Sequence, residues 1–330
     1  MKIRANGIDI EVEDTDSGPD QSPGAAGAAR PAVLLIMGLG MQLIAWPPQL
    51  VQALVNAGYR VIRHDNRDGG LSQHLDNLGK PHLVWQSLKL KLGLTPRLPY
   101  SMSDMAADSL GVLDALGIAQ AHVVGASMGG MIAQRVALAA PQRVLSLTSM
   151  MSSSGAKGLP QASPEVFRAL LRRPVNNSPQ ALADHYVRLF QVIGSPAFAT
   201  PEPELRDRIL LGVERGFYRE GTLRQMLAIM ADTARAAQLE RLRVPTLVLH
   251  GKADPLVPYA CAEDTARRIA GAKLVGIEGM GHDLPPGLLQ PMLDALIPHF
   301  RAADAQADTA DVVVGGRREN DKSPAVPRVS

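Results

Sequence analysis

The chain has 330 residues, 46% of them hydrophobic and 20% charged, and its 34 Lys and Arg against 32 Asp and Glu leave a formal net charge of +2. These values sit near the globular norm and argue against disorder, a fibrous repeat or, without a basic stripe, a nucleic-acid partner. Cys261 is the single cysteine, so neither an intrachain disulfide nor a structural zinc site is expected, and it reads as a small core residue. No apolar run approaches the ~20 residues of a membrane span, and the opening Met1-Lys2-Ile3-Arg4-Ala5-Asn6 lacks an apolar signal core. A cytoplasmic globular protein is the expectation.

Ile3, Ile8, Ile10 and Val12 alternate around Asn6-Gly7, which predicts a hairpin with a tight turn. Ser17 to Ala29, rich in Gly, Ala and Pro, reads as a loop. A strand-then-helix rhythm follows: strand Ala32 to Met37, helix Pro48 to Ala57, strand Arg60 to His64, helix Asp104 to Leu116, strand Ala121 to Val124, helix Met131 to Ala140 and strand Val144 to Met150. Apolar runs without alternation suit parallel strands covered on both faces. The rhythm stops at Ser152, gives way to helical patterning up to about Glu240, and resumes with strand Pro245 to His250, helix Ala262 to Ala270, strand Lys273 to Ile277 and helix Leu288 to Phe300.

The pattern predicts an α/β fold with a mostly parallel, doubly wound sheet. Residues 1–151 and 241–301 would form the core, 152–240 an inserted helical cap that sets substrate choice, and 302–330 a disordered, dispensable tail. Gln73 to Tyr100 fits either of two readings. Leu88, Leu90, Leu92 and Leu94 alternate as in a strand, but a lid segment could carry the same pattern.

Gly125-Ala126-Ser127-Met128-Gly129 matches G-x-S-x-G, and it falls between a predicted strand and a predicted helix, where a sharp turn would hold the Ser127 hydroxyl clear of the sheet. A serine nucleophile needs a base. His282, in Gly279-Met280-Gly281-His282-Asp283, follows the strand Lys273 to Ile277 and is placed to reach the same sheet edge; His64, His122 and His250 lie within or at the ends of strands. Asp254, in Gly251-Lys252-Ala253-Asp254-Pro255, follows another strand end, and the order Ser, Asp, His is the one this architecture uses. The oxyanion formed on attack would be held by the backbone amides of Met128 and of Leu39, the latter in the glycine loop Gly38-Leu39-Gly40-Met41. Asp65 and Arg67 read as structural residues of a neighbouring loop.

Leu35-Ile36-Met37-Gly38-Leu39-Gly40, Trp46-Pro47, His64-Asp65-Asn66-Arg67-Asp68-Gly69-Gly70-Leu71-Ser72, Val123 to Gly130, Gly251 to Pro258 and Gly279 to Pro285 together resemble the α/β-hydrolase superfamily over about residues 1–301. Within it they resemble the serine carboxylesterase branch that includes aclacinomycin methylesterase. The resemblance implies a Ser127, Asp254, His282 triad, a Leu39 and Met128 oxyanion hole, no cofactor or metal, and a small-molecule ester or lactone as substrate. Met37 departs from the pattern, since many relatives have histidine before the oxyanion glycine. Ser127 disfavours the dehalogenase and epoxide hydrolase branches, which use aspartate there. A cofactor-free haloperoxidase or perhydrolase, a C–C bond hydrolase and a slow-turnover ligand receptor stay open as alternatives.

Overall fold

The computed structural model describes residues 1–17, 30–172 and 174–319. The loop expected at Ser17 to Ala29 lies outside them, Ser17 apart. Strands β1 (Lys2–Ala5) and β2 (Ile8–Asp14) form the hairpin, with Ala5 opposite Ile8. Asn6 and Gly7 have φ of 47° and 78°, the left-handed pair that a two-residue turn between twisted strands requires.

The hairpin extends a sheet whose other members are β3 (Ala32–Ile36), β4 (Arg60–His64), β5 (Ala121–Ala126), β6 (Val144–Met150), β7 (Thr246–Gly251) and β8 (Lys273–Ile277). Their order is β1-β2-β4-β3-β5-β6-β7-β8, with all pairs from β4 to β8 parallel. Side chains of alternate residues leave opposite faces of a strand, so each central strand feeds two cores. Leu34, Ile36 and Val123 pack under α3 (Met102–Ala115) and α4 (Met128–Ala139). Val33, Leu35 and Val124 pack under α1 (Pro48–Asn56) and α11 (Leu289–Glu319). This is the expected doubly wound α/β sheet, with α10 (Ala260–Arg268) between β7 and β8.

One segment left open by its pattern takes a definite form, and the interruption between β6 and β7 is helical, as expected. The region Gln73 to Tyr100 contains a helix, α2 (Leu83–Lys91), not a strand. Leu83, Ser87 and Leu90 recur at helical spacing and turn towards a later helix, α8 (Arg219–Ala231), where Ser87 Oγ approaches Met230 Sδ. Between β6 and β7 lie α5 (Pro164–Leu171), α6 (Pro179–Ile193), α7 (Glu202–Gly216), α8 and α9 (Arg235–Leu239).

The final helix does not end near Phe300. The buried stripe Met292, Leu296 and Phe300 continues through Ala303, and Asp304 accepts hydrogen bonds from His122 Nε2 at 3.0 Å and Tyr59 Oη at 3.1 Å. Chain packing therefore passes Ala302. Truncation after Ala302, or Asp304→Ala, leaves the buried His122 ring without its acceptor, at a cost of about 1–3 kcal/mol. A lowered thermal midpoint in both variants is the expected result, and unchanged midpoints would return the boundary to Ala302.

Burial also makes the fold acid-sensitive. Burial pushes His299 down to about 4 and lowers His64 as well. Because the unfolded chain binds these protons more readily, stability is full above the ordinary histidine range and is lost as pH falls through it. For His299 alone the loss between neutral pH and pH 5 is about 2 kcal/mol. Thermal melts should show a drop over that interval, and His299→Gln should flatten part of it.

Candidate active site

The chain turns from β5 into α4 at Ser127, whose φ of 56° and ψ of −120° are strained for a residue with a side chain. Such a conformation costs about 1–3 kcal/mol and persists only where neighbours hold it. Here the Ser127 amide donates to Met150 O at 2.9 Å, and Ser152 Oγ donates to Ser127 O at 2.8 Å. The flanking glycines allow the turn to be this tight. A Cβ on Gly129 would lie 2.0 Å from Ile36 O, and one on Gly125 would lie 2.0 Å from Gly129 O. The first turn of α4 thus rests directly on the end of β3.

Ser127 Oγ lies 2.9 Å from His282 Nε2, and His282 Nδ1 lies 2.7 Å from Asp254 Oδ2. The structure brings together these three residues, which are 155 and 28 positions apart from His282 in sequence, because β5, β7 and β8 end at one edge of a parallel sheet. Asp254 and His282 are both buried. Burial opposes ionisation of Asp254, but the His282 charge, hydrogen bonds from His250 and His282, and the Val257 amide outweigh it and hold the carboxyl well below its ordinary range. Asp254 Oδ1 also accepts from the Leu256 and Val257 amides at 2.9 and 2.8 Å. An ionised carboxylate only accepts, so the His282 Nδ1 carries the proton and Nε2 is free to accept from Ser127.

The loop after β3 abuts this site, since a Cβ on Gly38 would lie 3.2 Å from Ser127 Cβ. Within it the Gly40 amide donates to Gln225 Oε1 at 2.9 Å and the Met41 amide to Gly38 O at 3.2 Å. Leu39 N–H has no acceptor among the described residues. Met128 is the first residue of α4, where amides point off the helix end without intrahelical partners. Neither amide is engaged by a described residue, and that of Met128 sits at the positive end of the α4 dipole. Met37, buried, gives its carbonyl to Asn66 Nδ2 at 2.8 Å.

The neighbouring loop is anchored by charge. Arg67 pairs with Asp108 of α3 at 2.5 Å, Asp65 with Arg215 of α7 at 2.7 Å, and Asp68 with Arg224 of α8 at 2.7 Å. Asp65 and Arg67, read from the sequence as structural residues of this loop, hold it through long-range pairs. On the other side of the site, the segment after α6 clasps the His282 loop. The His282 amide donates to Ile193 O at 2.7 Å, the Gly281 amide to Ser195 Oγ at 2.9 Å, and Ser195 Oγ donates to Asp283 Oδ1. A Cβ on Gly281 would lie 2.2 Å from Gly194 O, so only glycine admits this approach. Burial raises the Asp283 carboxyl, with the Ser195 hydrogen bonds opposing it.

Sequence reasoning missed Ser195, Asp283, Gln225 and the contact of His250 with Asp254, 3.4 Å from Nε2 to Oδ2. Only Asp283 carried a signal, its adjacency to His282. Cys261 is buried, its thiol raised by burial against a hydrogen bond with Ser153, and donates to Pro160 O. Among the described residues no group of three or more His, Cys, Asp or Glu could hold a metal ion. Nor is any described helix long and apolar enough to cross a membrane.

The chain is similar to known proteins over most of its length. Residues 31–285 match the model of the alpha/beta hydrolase fold family. The chain is similar to rhodomycin D methylesterase DnrP of Streptomyces peucetius, 32% identical over 302 residues, which span 86% of this chain and 95% of that one. It is also similar to the putative carbamate hydrolase RutD of Variovorax paradoxus (strain S110), 30% identical over 258 residues, 76% of this chain and 84% of that one. Among solved structures, a meta-cleavage product hydrolase from Pseudomonas fluorescens IP01 (CumD) superposes with a TM-score of 0.68 at 20% identity, covering 92% of this chain and 98% of that one. With this match over most of its length and the sheet that goes with it, the chain belongs to the alpha/beta hydrolase fold family.

Proposed function

We propose that the chain hydrolyses a carboxylic ester, with methyl esters and lactones as the first classes to test, through an acyl-enzyme on Ser127. The observation that carries the reading is the continuous hydrogen-bonded path from Ser127 Oγ through His282 to Asp254. Similarity to a methylesterase over most of both chains supports an ester as the substrate class.

In the proposed cycle Ser127 Oγ attacks the ester carbonyl carbon while its proton passes to His282 Nε2. The carbonyl π electrons move to oxygen, and the oxyanion lies against the Leu39 and Met128 amides, each worth about 3–4 kcal/mol in a preorganised site. Collapse breaks the bond to the alkoxide, which leaves as alcohol with the proton from Nε2. A water molecule then repeats the sequence on the acyl-enzyme: His282 takes its proton, hydroxyl adds to the carbon, and the acid departs as Ser127 regains a proton. Asp254 stays ionised throughout, fixing the imidazole and stabilising its cationic form.

The helices between β6 and β7 hold none of these residues and are the proposed determinants of substrate choice. The test is a comparison of methyl, short-acyl, long-acyl and lactone substrates on the purified chain, with pre-steady-state kinetics on a chromogenic ester. Steady turnover of at least one class is the expected result. One equivalent of product followed by a stall would favour a ligand receptor, and a peroxide-dependent product would favour a perhydrolase.

A further inference from the structure

Helix α2 is outside the candidate site, yet the residues around it carry five of the eleven exposed large apolar side chains among the described residues. Val84 is 87% exposed, Trp85 57%, Leu88 44%, Leu92 66% and Leu94 56%. Single exposed apolar side chains are ordinary, but these are neighbours. At 3.6 residues per turn, Val84, Trp85, Leu88 and Leu92 fall within an arc of about 100°, opposite the side that packs on α8. Residues 80–100 also contain Lys80, Lys89, Lys91 and Arg97 and no Asp or Glu. Nearby acids are already engaged: Glu220 pairs with Lys80 at 2.7 Å, and Asp76 accepts from Tyr218 Oη.

The charge decides between occupants. In a symmetric contact with a second copy the patch would meet itself, setting one cationic segment against another. An anionic lipid surface complements both halves of the pattern. Leu and Val side chains enter the headgroup and acyl boundary, tryptophan favours that interface, and Lys and Arg meet the headgroups. We propose that α2 docks this chain on the surface of an anionic phospholipid bilayer, lying on the membrane and not spanning it. The proposal is independent of the ester hydrolase reading.

The two tryptophans make the test direct. Trp46 is fully buried, so a change in emission on docking reports Trp85. The full chain is titrated with vesicles of phosphatidylcholine alone and with vesicles enriched in phosphatidylglycerol, following emission and co-sedimentation. Binding to the anionic vesicles with a blue shift, weakened by salt, is expected. Leu88→Gln/Leu92→Gln should weaken it by about 10²-fold, and Lys89→Glu/Arg97→Glu by about tenfold or more, with thermal midpoints unchanged because these side chains are on the surface. Four results would overturn the proposal. They are no association with anionic vesicles, equal association with both vesicle types, association indifferent to the Leu88 and Leu92 changes, or a concentration-dependent dimer that those changes abolish.

Discussion

Ser127→Ala should abolish covalent labelling by a fluorophosphonate and lower kcat by on the order of 10⁶-fold, leaving a residual ~10³–10⁴ over water from oxyanion binding and substrate positioning. The serine hydroxyl is 2.9 Å from His282 Nε2 and is held there by a strained turn, so no neighbouring hydroxyl can replace it without rebuilding the elbow. Binding of a non-hydrolysable substrate analogue should survive the change. His282→Ala should be nearly as damaging, and the double variant scarcely worse than either single one, because the residues act as a unit.

Asp254→Asn tests the tautomer argument more sharply. The Leu256 and Val257 amides would hold the asparagine oxygen, turning its NH₂ towards His282. Nδ1 would then have to accept and Nε2 would carry the proton, so it could not take one from Ser127. A fall of about 10⁴-fold with little change in fold is expected. Mass spectrometry of the labelled protein decides the assignment: an adduct on another serine, or none on an active preparation, would sink it.

The meeting of Ser127, His282 and Asp254, the proposed triad, was legible in the sequence because each lies within a few residues of a strand end, and a parallel sheet gathers those ends at one edge. The elbow was legible for a local reason, small residues on both sides of a serine between strand and helix. What stayed hidden depends on residues distant in sequence and without periodic spacing. Gln225 reaches Gly40 across 185 positions, and Arg224 reaches Asp68 across 156. Nothing in the composition around either partner announces the other. The Leu88 to Leu94 alternation left two readings open for a different reason, since period-two apolarity in a short segment does not by itself separate a strand from a helix with an exposed apolar side. The end of α11 was misplaced because Ala303 is weakly apolar and Asp304 polar, so neither stands out as core until His122 is seen beneath them.

The second large effect expected lies at Ser195, which touches neither the nucleophile nor the acid. Its hydroxyl accepts from the Gly281 amide at 2.9 Å and donates to Asp283, so it fixes the residues on both sides of His282. Ser195→Ala removes both side-chain bonds and loosens the base's loop, leaving backbone bonds as its hold on the segment after α6: His282 N–H to Ile193 O, Ala197 N–H to Gly279 O and the Ser195 amide to Asp283. A base displaced by about 1 Å can lose on the order of 10²-fold in rate. Ser195→Ala should therefore lower kcat by about 10–10²-fold, slow fluorophosphonate labelling in parallel and leave KM nearly unchanged, which makes Ser195 a positioning residue. Asp283→Ala should behave alike. Asp283→Asn keeps an acceptor for the Ser195 hydroxyl and Ser195→Thr keeps the hydroxyl, so both should retain most of the activity. A purely structural role would instead lower the thermal midpoint with kcat intact, or would show no rescue by threonine and asparagine. In either case the clasp would not be what holds His282 in line with Ser127.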